Sequence, residues 1–244
     1  ALEGSDGFPD GIMDFNFAPY DVRPFTNYPD DPNGLLAAGN DLTPDTLVRA
    51  YRLGVFPWYD ASQPILWWSP NPRCVFRPGD FRISRRLGRH LRGADLSFHG
   101  DRDFAGVLDQ CAAPRDEDGG TWITAEMRAA YLRLHGLGYA HCLTVDQDGA
   151  LAGGIYGVQL GGVFFGESMF STRTDGSKSV LAMLWALAPR LGIQLLDAQV
   201  ESPHLMRLGA YLMPRADFQR ELDRLIAETA PRPWPKGPFR WRDL

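Results

Sequence analysis

Three polar side chains lie in stretches that otherwise predict buried β-strands. In the run 193–200, the two-residue period of a strand places Asp197 and Gln199 on one face, roughly 6.5–7 Å apart. In the run 165–169, Glu167 shares a face with Phe165 and Met169. A buried carboxylate needs a hydrogen-bonding partner or a chemical role, because its desolvation alone is costly. The pattern leaves both interpretations open: structural hydrogen bonding, or a catalytic site.

Charge is distributed unevenly along the chain. The net charge is −5, but residues 73–92 hold seven arginines against one acid, Asp80, a net of +6 that leaves −11 for the remainder. The arginines are Arg73, Arg77, Arg82, Arg85, Arg86, Arg89 and Arg92. Such a block in an acidic protein indicates a local surface for an anionic partner. A solvated helix face with acidic neighbours is the alternative.

Motifs for nucleotide-driven or metal-assisted catalysis are missing. The sequence has no GxxxxGK[ST], GxGxxG, HExxH or GxSxG motif, and its five histidines lack metal-ligand spacing. We expect no metal and no cofactor. Three scattered cysteines predict reduced thiols in a cytoplasmic protein, no apolar run is long enough for a membrane span, and the start lacks a signal-peptide pattern. Residues 1–5 resemble residues added for expression.

The elements that must position these groups can be predicted from capping and periodicity. Thr43 followed by Pro44 predicts the start of a helix that Gly54 ends, and Thr124 predicts another helix start. Further helices are expected over 83–91, 104–112, about 177–191 and 217–227. Strands over 141–145, 150–158 and 163–170, separated by Asp148-Gly149 and Gly161-Gly162, predict an antiparallel meander. The strand 193–200 follows the helix expected over about 177–191.

These elements predict an α+β protein in three parts. Residues 1–70 are rich in Pro, Gly and aromatic residues and form a small N-terminal domain, residues 71–230 form the main domain, and residues 231–244, with four prolines, form an irregular tail.

Eight blocks in order resemble the leucyl/phenylalanyl-tRNA–protein transferase family. They are DPNGLLAAG (31–39), GVFPWY (54–59), ILWWSP (65–70), GTWIT (120–124), GGIYGV (153–158), GESMFS (166–171), LDAQV (196–200) and LGA (208–210). The resemblance implies a small α+β domain followed by an acetyltransferase-like domain whose antiparallel or mixed sheet is flanked by helices. It also implies transfer of Leu, less readily Phe or Met, from aminoacyl-tRNA to proteins that begin with Arg or Lys, which marks them for N-degron degradation. We expect a monomer.

The resemblance also assigns roles to residues. Gln199 contacts the attacking amine, Asp197 polarises Gln199, and Glu167 is the active-site glutamate. Trp58 and Trp122 hold the terminal adenosine of the tRNA, and the arginine block with Lys178 contacts its backbone. The donor side chain enters a pocket of Ile155, Phe164, Gly166, Met169, Leu181 and Leu196. Strict alternation puts Phe164 and Met169 on opposite faces of their strand, so this pocket requires a bulge or a strand end.

The sequence departs from the family pattern just before the predicted helix at 177. Family members usually have Phe-Ser-Arg followed by Asn-Ala-Ser-Lys, whereas this chain has Thr172 and Arg173, and then Asp175 where the family has Asn. Asn40 and Ala198 are further departures. An acetyl-CoA-dependent N-acetyltransferase and a non-catalytic tRNA-binding module are the alternatives. The glycine-rich pyrophosphate loop of the former is not visible, and the latter would not need Asp197 or Gln199.

Overall fold

A small sheet forms the first part of the fold. The computed structural model describes residues 34–113, 123–230 and 232–244. Strands β1 (Leu35–Ala38), β2 (Phe56–Pro57) and β3 (Leu66–Trp68) pair antiparallel in the order β1-β3-β2, and helix α1 (Pro44–Arg52) connects the first two. The expected boundary near residue 70 falls between this sheet and the next.

A seven-stranded mixed sheet forms the centre of the molecule. Its strands are β4 (Arg73–Phe76), β5 (Leu96–Gly100), β6 (Ala140–Gln147), β7 (Ala150–Leu160), β8 (Val163–Ser171), β9 (Leu195–Gln199) and β10 (Tyr211–Met213). The order is β10-β4-β9-β8-β7-β6-β5, and every pairing is antiparallel except that of β8 with β9. The predicted α+β class is therefore confirmed.

Helices cover both faces of the large sheet. They are α2 (Arg85–Gly93), α3 (Phe104–Ala112), α4 (Ala125–Gly136), α5 (Gly176–Leu191), α6 (Pro203–Arg207) and α7 (Arg215–Glu228). One face packs against the small sheet, α1, α3, α4 and α7, and the other packs against α2, α5 and the C-terminal segment. Within the described parts of the chain, no helix has the length and apolar character needed to cross a bilayer.

The predicted helix starts are confirmed where side-chain caps define them. The Thr43 hydroxyl accepts a hydrogen bond from the Thr46 amide, and Thr124 caps α4 in the same way through Met127. The predicted meander is also confirmed as β6, β7 and β8. Asp148 and Gly149 adopt positive φ at the first turn, as a tight hairpin turn requires.

Short strands are where the prediction failed. β4, β5 and β10 were not predicted, since three to five residues carry too little periodicity to stand out. The predicted strand start at Ile193 is wrong, because β9 begins at Leu195. The described part of the C-terminal segment, 232–244, has little regular structure, yet it buries Trp234 and pairs Phe239 with Phe98 of β5.

A bulge in β8 changes which side chains share a face. Tyr156 of β7 pairs with Ser168 and Gly157 pairs with Gly166, so Glu167 has no partner on β7. Such an extra residue reverses the alternation beyond it. The prediction that Phe165, Glu167 and Met169 all share one face is therefore wrong: Met169 packs with the cluster on the α5 side, and Phe165 with the opposite cluster.

Candidate active site

Asp197 is fully buried and forms an ion pair with an equally buried arginine. Arg73 Nε donates to Asp197 Oδ1 at 2.7 Å, and Arg73 Nη2 donates to Oδ2 at 2.6 Å. The two residues lie on neighbouring strands, β4 and β9. This bidentate geometry is the strongest form of arginine–carboxylate contact. Arg73 has no exposed donor to offer a phosphate, so its inclusion among the predicted tRNA contacts is corrected.

Gln199 is joined to Asp197 through its backbone. Its amide N–H donates to Asp197 Oδ1 at 2.9 Å, and its φ of +64° is in the left-handed region. Its side-chain Nε2 donates to Glu167 Oε1 at 3.3 Å. The structure thus brings together all three residues that the sequence singled out, and Asp197 reaches Gln199 at the main chain rather than at the side-chain amide.

Glu167 occupies the bulge and is held by two tyrosines that sequence reasoning missed. The Tyr51 hydroxyl donates to Glu167 Oε1 at 2.6 Å, and it lies 2.5 Å from the hydroxyl of Tyr131. Burial raises the pKa of Glu167 to about 7, against the lowering effect of these hydrogen bonds. Both tyrosines fit the buried spacing of their helices, and no local pattern indicates that their hydroxyls meet a carboxylate.

An apolar cavity of about 130 Å³ opens beside Glu167. It is lined by five of the six predicted pocket residues, Ile155, Gly166, Met169, Leu181 and Leu196, and also by Phe76, Glu167, Ser168, Ala198 and Leu205. A cavity of about 150 Å³ holds a benzene ring, so this one suits a single apolar side chain.

The bulge explains why Phe164 and Met169 both belong to the cluster on the α5 side, despite their odd spacing. Phe164 nevertheless does not line the cavity. Its ring is fully buried, lies 5.7 Å from the Trp234 ring, and packs where Gly157 leaves room. Its predicted place in the pocket is corrected to a supporting position in the core.

One of the two predicted adenosine-binding tryptophans, Trp58, lies among the described residues. Trp58 is 38% exposed and packs edge-on against Trp68, with ring centroids 5.6 Å apart. The Trp68 Nε1 donates to the Trp58 carbonyl and fixes the strand there. Trp122 lies outside the described residues. An exposed, fixed indole of this kind is suited to stacking on a nucleobase.

The remaining arginines of the block form a basic surface on and around α2. Arg82, Arg85, Arg86, Arg89 and Arg92 are exposed, whereas Arg77 is half-buried and contacts Tyr211 and Glu221. Arg86 and Arg89 line an open groove of about 870 Å³, and Arg173, which was not among the predicted tRNA contacts, lines it too. Arg86 and Lys178 both pair with Asp175, at 3.1 and 3.0 Å. We call this groove the basic groove.

Comparison with known proteins places the two parts of the chain in one family. A sequence model described as leucyl/phenylalanyl-tRNA protein transferase matches residues 75–223, and one for the N-terminal domain of that family matches residues 40–71. The chain belongs to the leucyl/phenylalanyl-tRNA protein transferase family.

Similar proteins of that name come from several bacteria. The chain is 58% identical over 216 residues to the leucyl/phenylalanyl-tRNA–protein transferase of Alcanivorax borkumensis, covering 88% of this chain and 89% of the relative. It is 52% identical over 217 residues to that of Alkalilimnicola ehrlichii, covering 88% and 83%. Among solved structures, a GCN5-related N-acetyltransferase from Kribbella flavida is similar with a TM-score of 0.34 and 13% identity, over 70% of this chain and 60% of that one.

Proposed function

We propose that this protein transfers Leu, and less readily Phe or Met, from aminoacyl-tRNA to the N-terminal amine of proteins that begin with Arg or Lys. The product is a new peptide bond, and the modified protein enters the N-degron route in the cytoplasm. The observation that carries the proposal is the position of Glu167, which contacts the Gln199 amide and also lines the apolar cavity. A donor side chain in the cavity therefore brings its ester next to an amide and a carboxylate.

The attacking amine must be neutral when it reacts. Because the side-chain Nε2 of Gln199 donates to Glu167, the side-chain Oε1 of Gln199 can accept a hydrogen bond from the incoming amine. An α-amino group has a pKa of about 7.7–8.0, close to the pKa of about 7 that burial gives Glu167. Glu167 is thus matched to take the proton that the amine loses.

The bond changes follow from this arrangement. The amine nitrogen attacks the ester carbonyl carbon, the ester C–O bond breaks, and the ribose oxygen leaves with a proton returned through Glu167. Because the donor is an activated ester, the proposed reaction requires no nucleoside triphosphate and no metal. The negative charge of ionised Glu167 also favours acceptors whose first residue is a cation.

The tRNA would be held by contacts that do not read sequence. The exposed face of Trp58, with Trp122, suits the terminal adenosine, and the basic groove with the exposed arginines of α2 suits phosphates. Phosphate contacts set affinity and salt dependence, which fits an enzyme that accepts more than one tRNA.

The test combines donors and acceptors in one assay. Radiolabelled Leu-tRNA is mixed with peptides that begin with Arg, Lys, Asp or Glu, with and without prior RNase treatment. Labelled Arg- and Lys-peptides that disappear after RNase treatment are the expected result. Incorporation from labelled acetyl-CoA instead, or tRNA binding without any transfer, would overturn the proposal in favour of an acetyltransferase or a binding module.

A further inference from the structure

We propose that Arg73 is a positioning residue for Gln199, acting through the Asp197 carboxylate and the Gln199 backbone amide. This inference rests on the proposed function and adds a residue to its machinery. Its basis is a chain of three hydrogen bonds inside the protein: two from Arg73 to Asp197, and one from the Gln199 N–H to Asp197 Oδ1.

Both oxygens of the Asp197 carboxylate accept hydrogen bonds. Oδ1 accepts from Arg73 Nε and from the Gln199 amide, and Oδ2 accepts from Arg73 Nη2. Its charge is paired with the buried guanidinium of Arg73. Asp197 therefore acts by fixing the main chain of Gln199, and not as a base or as a direct partner of the side-chain amide.

The conformation of Gln199 is one that needs such support. Residues other than glycine seldom adopt a φ near +60°, because Cβ then crowds the backbone. The strand pairing is also irregular here: Cys74 pairs with Gln199 and Val75 pairs with Asp197, so Ala198 has no partner on β4. The Asp197–Gln199 bond replaces regular pairing at this point, and it directs the side-chain amide of Gln199 towards Glu167.

Arg73 itself is fixed by the N-terminal part of the fold. Its Nη1 donates to the Gly54 carbonyl at 2.8 Å, and its guanidinium carbon lies 4.9 Å from the Phe56 ring centroid and 4.6 Å from that of Phe218. Gly54 and Phe56 belong to the segment that continues into Trp58. One guanidinium therefore ties the segment that carries an adenosine-binding candidate to the strand that carries Gln199.

A stabilising role and a positioning role can be separated by replacing both charges. Removing one partner of a buried ion pair is strongly destabilising, whereas an apolar pair of similar volume is often neutral or stabilising. In the double variant Arg73→Met with Asp197→Leu, we expect a folded protein with a moderately lower melting temperature, because the Gly54 carbonyl and the Gln199 amide lose their partners. We expect kcat for transfer to fall about 100-fold, because small displacements of a catalytic group have effects of that size.

Two further variants keep the test decisive. Arg73→Lys retains the buried cation but loses the bidentate contact with Asp197. This variant tests the inference if the double variant does not fold. We expect its kcat to fall at least about tenfold. Leu222→Ala removes a side chain from the buried cluster that includes Phe56 and Phe218, and it leaves the ion pair intact. It should therefore lower the melting temperature and keep the wild-type kcat. A folded double or lysine variant with wild-type kcat would overturn the inference.

Hydrogen exchange at the Gln199 amide provides a readout that does not depend on activity. The amide should be protected in the wild type and exchange faster in the Arg73 variants, and equal protection would overturn the inference. The transfer assay on the wild type separates the two proposals. If the wild type transfers no amino acid, the proposed function fails; if it transfers normally and the Arg73 variants do too, only the positioning role fails.

Discussion

The Tyr51 hydroxyl donates a 2.6 Å hydrogen bond to Glu167 Oε1, although the two residues are 116 positions apart in the chain. Tyr51 lies on α1, and Glu167 lies in the bulge of β8. The helix of the N-terminal part therefore completes a site whose Glu167, Asp197 and Gln199 come from the large sheet. Neither part of the chain holds the whole site.

The variant Tyr51→Phe should move the pH dependence of transfer upward. The Tyr51 hydrogen bond lowers the pKa of Glu167, so its loss raises that pKa above the wild-type value of about 7. The transfer rate should rise with pH as Glu167 ionises, with a midpoint higher by about one pH unit in the variant, the size expected for one hydrogen bond to a charged group. Single-turnover rates across the pH range measure this midpoint.

Tyr156→Phe is the matched control for that measurement. Tyr156 is also buried, and its hydroxyl has no hydrogen-bond partner among the described residues, so the change removes no bond to Glu167. The midpoint of the transfer rate against pH should be the same in Tyr156→Phe as in the wild type. A common midpoint in all three proteins would contradict the assignment of Glu167 as the proton acceptor.

Glu167→Gln should stabilise the fold more at high pH than at low pH. The folded state raises the pKa of Glu167 from 4.5 to about 7, so it binds the proton more tightly than the unfolded state does. This contribution to stability is complete below the unfolded pKa and is lost as pH rises through about 7. Gln stays neutral throughout. The melting temperature of the variant minus that of the wild type should therefore increase between about pH 5 and about pH 8. A constant or decreasing difference would contradict the raised pKa.

Met169→Ala should shift the donor preference towards Phe. Met169 lines the cavity of about 130 Å³, and its truncation widens the space for a ring. The ratio of kcat/KM for Phe-tRNA to that for Leu-tRNA should rise by about tenfold, since one or two methylene groups in an apolar pocket have effects of this order. Phe164→Leu is the control, because Phe164 supports the core without lining the cavity. If both variants keep the wild-type ratio, the cavity is not the donor pocket.

Neutralising Arg85, Arg86 and Arg89 together should weaken tRNA binding and reduce its salt dependence. All three are exposed on α2, and each arginine that contacts a phosphate contributes about 0.7–0.9 to the slope of log K against log salt concentration. Filter binding over a salt series measures that slope. Replacing the exposed Arg220 and Arg224 of α7 should leave it unchanged. An equal slope in wild type and triple variant would remove α2 from the tRNA surface.

Asp175→Asn should strengthen tRNA binding at low salt. The Asp175 carboxylate pairs with Arg86 and Lys178, and it lines the basic groove. Its removal releases two cations to meet phosphates, and the gain should shrink as salt screens the charges. Asp217→Asn on α7, which removes the partner of Arg220, is the control. Unchanged affinity in Asp175→Asn would place the tRNA backbone elsewhere.

Local signals were sufficient to predict the meander and every helix except the short α6. Thr43 and Thr124 cap helices through contacts within one turn, and Asp148-Gly149 turns between two adjacent strands, so each signal lies within a few residues of its effect. The same holds for the Asp197–Gln199 pair, whose spacing alone placed it on one strand. The bulge was foreseen as a requirement of the pocket, but only the pairing with β7 locates it at Glu167.

What could not be predicted depends on distant pairing. In the sequence, Arg73 is one of the seven arginines in the block 73–92 and does not stand out from them. Only the antiparallel pairing of β4 with β9 brings it into contact with Asp197. Tyr51 and Tyr131 look like ordinary buried helix residues until α1 and α4 bring their hydroxyls together at Glu167. The family resemblance located Glu167 and Gln199, but the groups that orient them come from elsewhere in the fold.

The extra residue in β8 has a consequence for how such a protein can change over time. Up to Gly166 and beyond Ser168, the strand presents its side chains in opposite phase, so Met169 lines the cavity while Glu167 contacts Tyr51. Glu167 also borders the cavity, but its carboxylate is held by Tyr51 and Gln199. Substitutions at Met169, Leu181 or Leu205 leave those two hydrogen-bond partners in place and can alter which amino acid is accepted. Variants that accept unnatural side chains should therefore be sought at these three positions.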